Sequence, residues 1–126
     1  MSPVAEVELT ATFGPVTRTD IVKYAGAGGD FNPLHHDDDY AREVGHPAAF
    51  AMGLLTVGYL ATAVEKWFGR ENVREFGTKF LAPVWVGDVL TCTARRSGSE
   101  VQLQVADARG ELKVTGHLVL DGDDER

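Results

Sequence analysis

Asp30 and His35 stand five residues apart on either side of Asn32-Pro33, inside Gly26-Ala27-Gly28-Gly29-Asp30-Phe31-Asn32-Pro33-Leu34-His35-His36-Asp37. A carboxylate and an imidazole are complementary proton carriers near neutral pH. Held on one water, they could add it to, or remove it from, a carbon chain next to a carbonyl. Pro33 fixes its own φ and biases Asn32 toward extended backbone, so the loop can bring the two groups together with little further loss of entropy. The plainer reading is a helix-ending aspartate, a satisfied buried histidine and solvated aspartates. The rigid turn between Asp30 and His35 favours the chemical one.

Two other chemistries fit the stretch less well. A phosphate cradle needs a Lys-Ser/Thr pair or a third glycine in G-x-G-x-x-G, and Phe31 stands where that glycine belongs. His35, His36, Asp37, Asp38, Asp39 and His46 are all metal-ligand types, but adjacent histidines point in different directions and no H-E-x-x-H is present. An EF-hand would need an acid or amide at Ala41 and a glycine at Arg42. The expectation is no metal. A net charge of −7 argues against a nucleic-acid partner, whose phosphates require a basic surface. Part of that charge sits in Asp121, Asp123, Asp124 and Glu125, which read as a solvated tail.

The elements that must position this stretch follow from periodicity. Ala5, Val7, Leu9, Ala11 and Phe13 alternate with polar residues and predict a strand ended by Gly14-Pro15. Thr17 or Thr19 can cap a short helix carrying Ile21, Tyr24 and Ala25 on one face, with Gly26, Gly28 and Gly29 breaking it into a glycine-rich loop. Asp37 can cap a second short helix through Tyr40, Ala41 and Val44, stopping at Gly45. Residues 50–68 predict a long helix, apolar on nearly every side and therefore surrounded by protein. Its fifteen-residue apolar stretch, 50–64, falls short of the ~20 residues that span a bilayer, so no membrane is expected.

Period two then returns. Phe76, Thr78 and Phe80 share a face, as do Leu90, Cys92 and Ala94, then Val101, Leu103 and Val105, then Leu112, Val114, Leu118 and Leu120. The intervening turns, at 83–88, 97–99 and 108–110, read as short enough for antiparallel neighbours. The fold class is thus α+β, a five-stranded antiparallel sheet curled around a central helix. At 126 residues the chain reads as one domain, 1–126. The open sheet edges of such a fold suggest pairing with a second copy, a homodimer. Cys92 is the single cysteine and the first residues carry no basic-then-apolar leader, which makes a reducing cytoplasm the default setting.

Gly29-Asp30-Phe31-Asn32-Pro33-Leu34-His35 resembles the motif of the MaoC-like family, (R)-specific enoyl-CoA hydratases and 3-hydroxyacyl dehydratases with the hot-dog fold. Residues 37–45 look like that family's short helix after the motif, and 49–56 like the start of its central helix. Phe80-Leu81-Ala82-Pro83-Val84-Trp85-Val86-Gly87-Asp88 is similar to its strand-and-turn pattern, so the resemblance covers most of the chain.

The resemblance implies that Asp30 and His35 hold and activate a water, with Asn32 and Pro33 supporting them. It also implies that the Gly53 amide binds the thioester oxygen at the start of the central helix, a role that suits the free N–H groups and positive end of a helix. Phe31, Leu34, Phe50, Met52 and Leu54 are the expected apolar pocket. Many relatives carry histidine where Met52 stands, read here as a packing change. The implied reaction is reversible hydration of trans-2-enoyl thioesters to (3R)-3-hydroxyacyl thioesters, with acyl-CoA or acyl-carrier-protein as partner and no cofactor beyond the thioester itself. Lys79, Arg95 and Arg96 are the cations considered for its phosphates. Two rivals stand beside it: a hot-dog thioesterase, and a non-catalytic acyl-binding or partner subunit of a heteromeric dehydratase.

Overall fold

The computed structural model describes residues 7–121, so Ala5 and residues 122–126 of the acidic tail lie outside the described residues. Strand β1 (Val7–Phe13) is followed by helix α1 (Arg18–Gly28), helix α2 (Asp38–Glu43) and the long helix α3 (Gly53–Phe68). Strands β2 (Val73–Phe80), β3 (Leu90–Ser97), β4 (Glu100–Ala106) and β5 (Leu112–Leu120) complete the order. The sheet is wholly antiparallel in its pairings and runs β1-β3-β4-β5-β2. This is the expected α+β hot-dog architecture. Among the described residues no helix is long and apolar enough to cross a membrane.

The order of strands corrects one expectation. Only β3, β4 and β5 form a meander, because β2 pairs with β5, with Phe76 opposite Leu118 and Phe80 opposite Val114. Residues 81–89 are therefore a crossover from one sheet edge toward the other, not a hairpin turn. The crossover is pinned as it passes the end of β1: the Val16 amide donates to the Asp88 carbonyl at 2.9 Å and the Gly87 amide to the Val16 carbonyl at 2.7 Å. Gly14, at φ 105°, is needed there, since a Cβ would lie 2.8 Å from the Asp88 carbonyl oxygen.

The helices differ from expectation at their ends. Thr17, not Thr19, caps α1 in a reciprocal capping box with Asp20. With that start secured the helix runs through Gly26 and Gly28, and only Gly29, at φ 72°, takes the left-handed turn that stops it. Helix α3 begins at Gly53 because the residues before it have extended partners: Phe50 bridges Trp85, and the Ala51 amide donates to the Val84 carbonyl at 2.8 Å. Asp121, expected in the free tail, is held by its amide to the Asn72 carbonyl.

One face of α3, carrying Leu55, Thr56, Leu60, Ala63 and Val64, is buried against the sheet's inner residues, among them Leu90, Ala94, Leu103 and Leu118. Its other face is open in the single chain, with Leu54 60% exposed, so the helix is not enclosed on all sides. Period two also fails at the start of β5. A register irregularity opposite Val105 and Ala106 leaves Leu112 at the surface and puts Lys113 wholly inside. Cys92 is buried in the core, and desolvation pushes its thiol up to about 12, which makes it inert as a nucleophile.

Leu60 has no exposed surface and sits where the helix meets the sheet. Leu60→Ala is expected to cost about 3 kcal/mol, read as a shift of the urea midpoint at unchanged m-value.

Candidate active site

The loop after α1 is built by its own side chains. The Asp30 amide closes the helix on the Ala25 carbonyl, and the Asp30 carboxylate accepts from the Asn32 amide at 3.3 Å. Asn32 then caps a short 3-10 turn, Pro33–His35, accepting from the Leu34 amide at 3.0 Å, while Pro33 occupies a position in which no amide is needed. The turn carries His35 inward: its side chain is 12% exposed, against 43% for Asp30.

His35 Nδ1 lies 2.8 Å from the Phe50 carbonyl oxygen. A carbonyl only accepts, so Nδ1 carries the hydrogen, and in the neutral ring Nε2 is left as an acceptor. Nε2 faces Asp30 Oδ2 at 3.6 Å, too long for a direct hydrogen bond. Two such acceptors, not bonded to each other, can each take one O–H of a water placed beside them, with both hydrogen bonds bent at this separation. The Phe50 ring meets His35 edge-on at 5.7 Å and Trp85 likewise at 5.7 Å, fixing the imidazole plane from one side.

Asp30 and His35 open onto a cavity of about 440 Å³, whose remaining lining is largely apolar: Phe50, Ala51, Met52, Gly53 and Leu54 on one side, Phe80, Pro83, Val84 and Val114 on the other. Met52 is the N-cap of α3 and supplies no side-chain hydrogen bond, so no side chain caps the first-turn amides, of which Leu55 turns to the Met52 carbonyl at 3.0 Å. Gly53 lies under the Phe80 ring, where a Cβ would come within 2.6 Å of a ring carbon.

The expected pocket is thus brought together in part. Phe50, Met52 and Leu54 line the cavity; Phe31 and Leu34 do not. Phe31 sits at the outer end of the turn and is 67% exposed, while Leu34 contributes its carbonyl, which accepts from the Phe50 amide. Of the cations considered for substrate phosphates, Arg95 pairs with Glu8 at 2.8 Å and Arg96 lies over the Phe68 ring; neither lines the cavity, and Lys79 is an exposed residue of β2.

The aspartates after the motif have structural work. Asp37 caps α2 by accepting from the Tyr40 amide, Asp38 accepts from the Ala49 amide at 2.9 Å and from Arg18 at 2.8 Å, and Asp39 meets Arg42 at the surface. Among the described residues no three His, Cys, Asp or Glu side chains gather as a metal site.

Comparison with known proteins adds an independent finding. Residues 2–117 match the model of the MaoC like domain family. The chain belongs to the MaoC-like family. It is 29% identical over 111 residues to an (R)-specific enoyl-CoA hydratase of Rhodospirillum rubrum, spanning 86% of this chain and 76% of that one. It is 33% identical over 95 residues to mouse peroxisomal multifunctional enzyme type 2, covering 73% of this chain but 12% of that much longer protein. Among solved structures, the R-hydratase PhaJ1 from Pseudomonas aeruginosa superposes with a TM-score of 0.73 at 21% identity, over 95% of this chain and 81% of that one, a likeness of fold.

Within this MaoC-like domain, sequence reasoning missed the far wall of the cavity. Phe80, Pro83 and Val84 stand in the very pattern that resembled the family, yet nothing local says that this segment crosses to face Asp30. Thr56 also lines the cavity, its hydroxyl buried without a partner among the described residues. It reads in the sequence only as one polar residue in an apolar helix.

Asp38 ties α1, α2 and the start of α3 together, and the Ala49 amide, ahead of the Arg18 charge, holds its carboxyl below the usual range. A folded-state value below the unfolded one stabilises above the ordinary carboxylate range, ~3.9, and is lost as pH falls through the folded value. The Tm difference between the parent protein and Asp38→Asn is therefore expected to be largest near pH 7 and to shrink steadily as melts are repeated at pH values stepped down through and below the ordinary carboxylate range.

Proposed function

We propose that this MaoC-like domain catalyses reversible addition of water to trans-2-enoyl thioesters, giving (3R)-3-hydroxyacyl thioesters. The observation that carries the reading is the pair of acceptors, Asp30 Oδ2 and His35 Nε2, 3.6 Å apart at an apolar cavity beside the uncapped start of α3. The relative from Rhodospirillum rubrum, named as an (R)-specific enoyl-CoA hydratase, supports it and suggests the R product.

In this mechanism water donates one hydrogen bond to each member of the pair. Asp30 takes a proton as the water oxygen bonds to C3, the C2–C3 π electrons move toward the thioester, and the carbonyl oxygen gains charge. The Gly53 amide meets that oxygen at the positive end of α3; a donor of this kind is worth ~3 kcal/mol of barrier, and a positioned acid/base group ~10²- to 10⁴-fold in rate. The proton returns to C2 through the pair, so one water adds across the double bond and nothing leaves. His35, with Nδ1 spent on Phe50, orients the water through Nε2. The reaction uses no metal or organic cofactor, and the thioester is carried by coenzyme A or an acyl carrier protein.

The same reading makes the active form a homodimer in the cytoplasm. Leu54, Phe76, Phe80 and Leu81 are exposed in the single chain, and among the described residues the outer edge of β2 has no strand alongside it. An apolar surface of this kind at an open edge suits a second copy. Some relatives are named as peroxisomal, and the buried free thiol of Cys92 fits either reducing compartment.

With crotonyl-CoA, the conjugated enoyl absorbance is expected to fall without release of free thiol, and chiral analysis to give the 3R product. Thiol release would point to a thioesterase. Asp30→Asn and His35→Ala are each expected to lower kcat by at least ~10²-fold with circular dichroism and oligomeric state unchanged. A variant retaining near-normal turnover would remove that residue from the mechanism. Dialysis against a chelator is expected to leave the activity intact; loss restored by a divalent metal would overturn the metal-free reading.

A further inference from the structure

Lys113 is the largest fully buried side chain in the described structure, and the proposed reaction has so far given it no part. Its ammonium donates to Glu111 Oε1 at 2.7 Å and to the Pro83 carbonyl at 2.8 Å, with Asp107 Oδ2 and Asp88 Oδ2 at 3.7 and 3.8 Å. Among the described residues Asp107 Oδ2 is itself buried with no hydrogen-bond partner, so Lys113 is the cation there that its charge faces from within the protein, with Arg109 at 3.8 Å on the surface side. Desolvating a lysine is costly, and an apolar residue of similar volume could fill such a place. The question is what the cation holds.

It holds the crossover. From β5, Lys113 grips residues 81–88 twice: its side chain takes the Pro83 carbonyl, and its own carbonyl accepts from the Leu81 amide at 2.9 Å. Asp88, in ion-pair range of Lys113, accepts from the Trp85 amide at 2.9 Å and so shapes the same turn. The turn grips the catalytic side in its own right, since the Val84 carbonyl accepts from Ala51 and Trp85 bridges Phe50. Phe50 is the residue whose carbonyl fixes His35 Nδ1, and Ala51 lies two residues before Gly53.

We propose that Lys113 is a positioning residue for the hydration chemistry, setting the 81–88 crossover so that Phe50 orients His35 and the start of α3 presents the Gly53 amide. The inference rests on the hydratase reading for its kinetic consequence. Its structural part, the tie from Lys113 to the His35 ring, does not. Small displacements of this kind act on the rate of the chemical step more than on substrate affinity, because the groups concerned engage the transition state.

The test is Lys113→Met in the full chain, with Lys113→Arg as the variant that keeps a buried cation and several N–H donors. Kinetics with crotonyl-CoA are taken well below each protein's Tm, and the His35 tautomer is read by ¹⁵N imidazole NMR. The methionine variant is expected to lose at least tenfold in kcat with KM within threefold, and its His35 signal to shift from the Nδ1–H form toward a tautomer mixture. Arginine is expected to restore part of both. A folded methionine variant with kcat within twofold of the parent and an unchanged His35 signal overturns the proposal and leaves Lys113 a stabilising residue alone. If Lys113→Met does not fold, Lys113→Gln, which removes the cation and keeps a polar side chain in its place, is read by the same two measurements, and no change in either overturns it. A parent protein inactive on crotonyl-CoA defeats the hydratase reading but not this tie, because the NMR arm needs no substrate.

Discussion

The backbone of Phe50 is the joint on which the site depends. Its amide donates to the Leu34 carbonyl, its carbonyl accepts from His35 Nδ1, and its residue pairs with Trp85 across the gap to the crossover. Three segments distant in sequence are thereby fixed against one another: the Asn32-Pro33 turn, the approach to α3 and the 81–88 connection. The hydrogen bond to His35 also settles which imidazole nitrogen faces Asp30. Without it the ring could present N–H to the carboxylate, and the two would pair with each other instead of offering two acceptors side by side.

The crossover explains why a small sheet can carry a cavity at all. A hairpin from β2 to β3 would place those strands side by side and leave the segment at the sheet's rim. Sending β2 to the far edge beside β5 instead draws residues 81–88 across toward α3, and Pro83 and Val84 become a cavity wall. Such a connection has no local ladder to hold it, and its backbone groups need partners from elsewhere. They come from Val16, Ala51, Lys113 and the Asp88 side chain.

What could be read in the sequence was local. Asp37 as a cap, Pro33 as the first residue of a tight turn, Asp30 and His35 on its two sides, and the alternation of β3 and β4 all follow from neighbours within a few residues. What could not be read was long-range. Nothing in Phe76-Gly77-Thr78-Lys79-Phe80 says that its partner is β5 and not β3, because period two fixes which face a residue takes and not which strand lies alongside. The alternation starting at Leu112 failed for a related reason: the irregularity opposite Ala106 shifts the pattern by one, exposing a leucine and burying a lysine whose ammonium bonds the neighbouring Glu111 and the distant Pro83 carbonyl. Gly26 and Gly28 misled in the other direction. Glycine weakens a helix interior by roughly 1 kcal/mol relative to alanine, which the capping box of Thr17 and Asp20 and the packing of Ile21 and Ala25 can offset.

Met52 draws these threads to the proposed chemistry. An N-cap of Ser, Thr, Asp or Asn would satisfy an amide of the first turn of α3 and add about 1 kcal/mol of stability. This helix has methionine there, buried to 3% exposure and making no such bond. Packing anchors the helix end instead, through Met52 itself and through the Ala51 amide on Val84 just before it. The arrangement gives up local stability and keeps the helix's positive end uncapped beside Asp30 and His35, where the proposed reaction develops negative charge on the thioester oxygen. A histidine at the same position, as the family resemblance leads one to expect, would introduce a titratable donor into that wall. Methionine keeps it apolar and leaves the proposed proton transfer to the one carboxylate and one imidazole that the Asn32-Pro33 turn brings together.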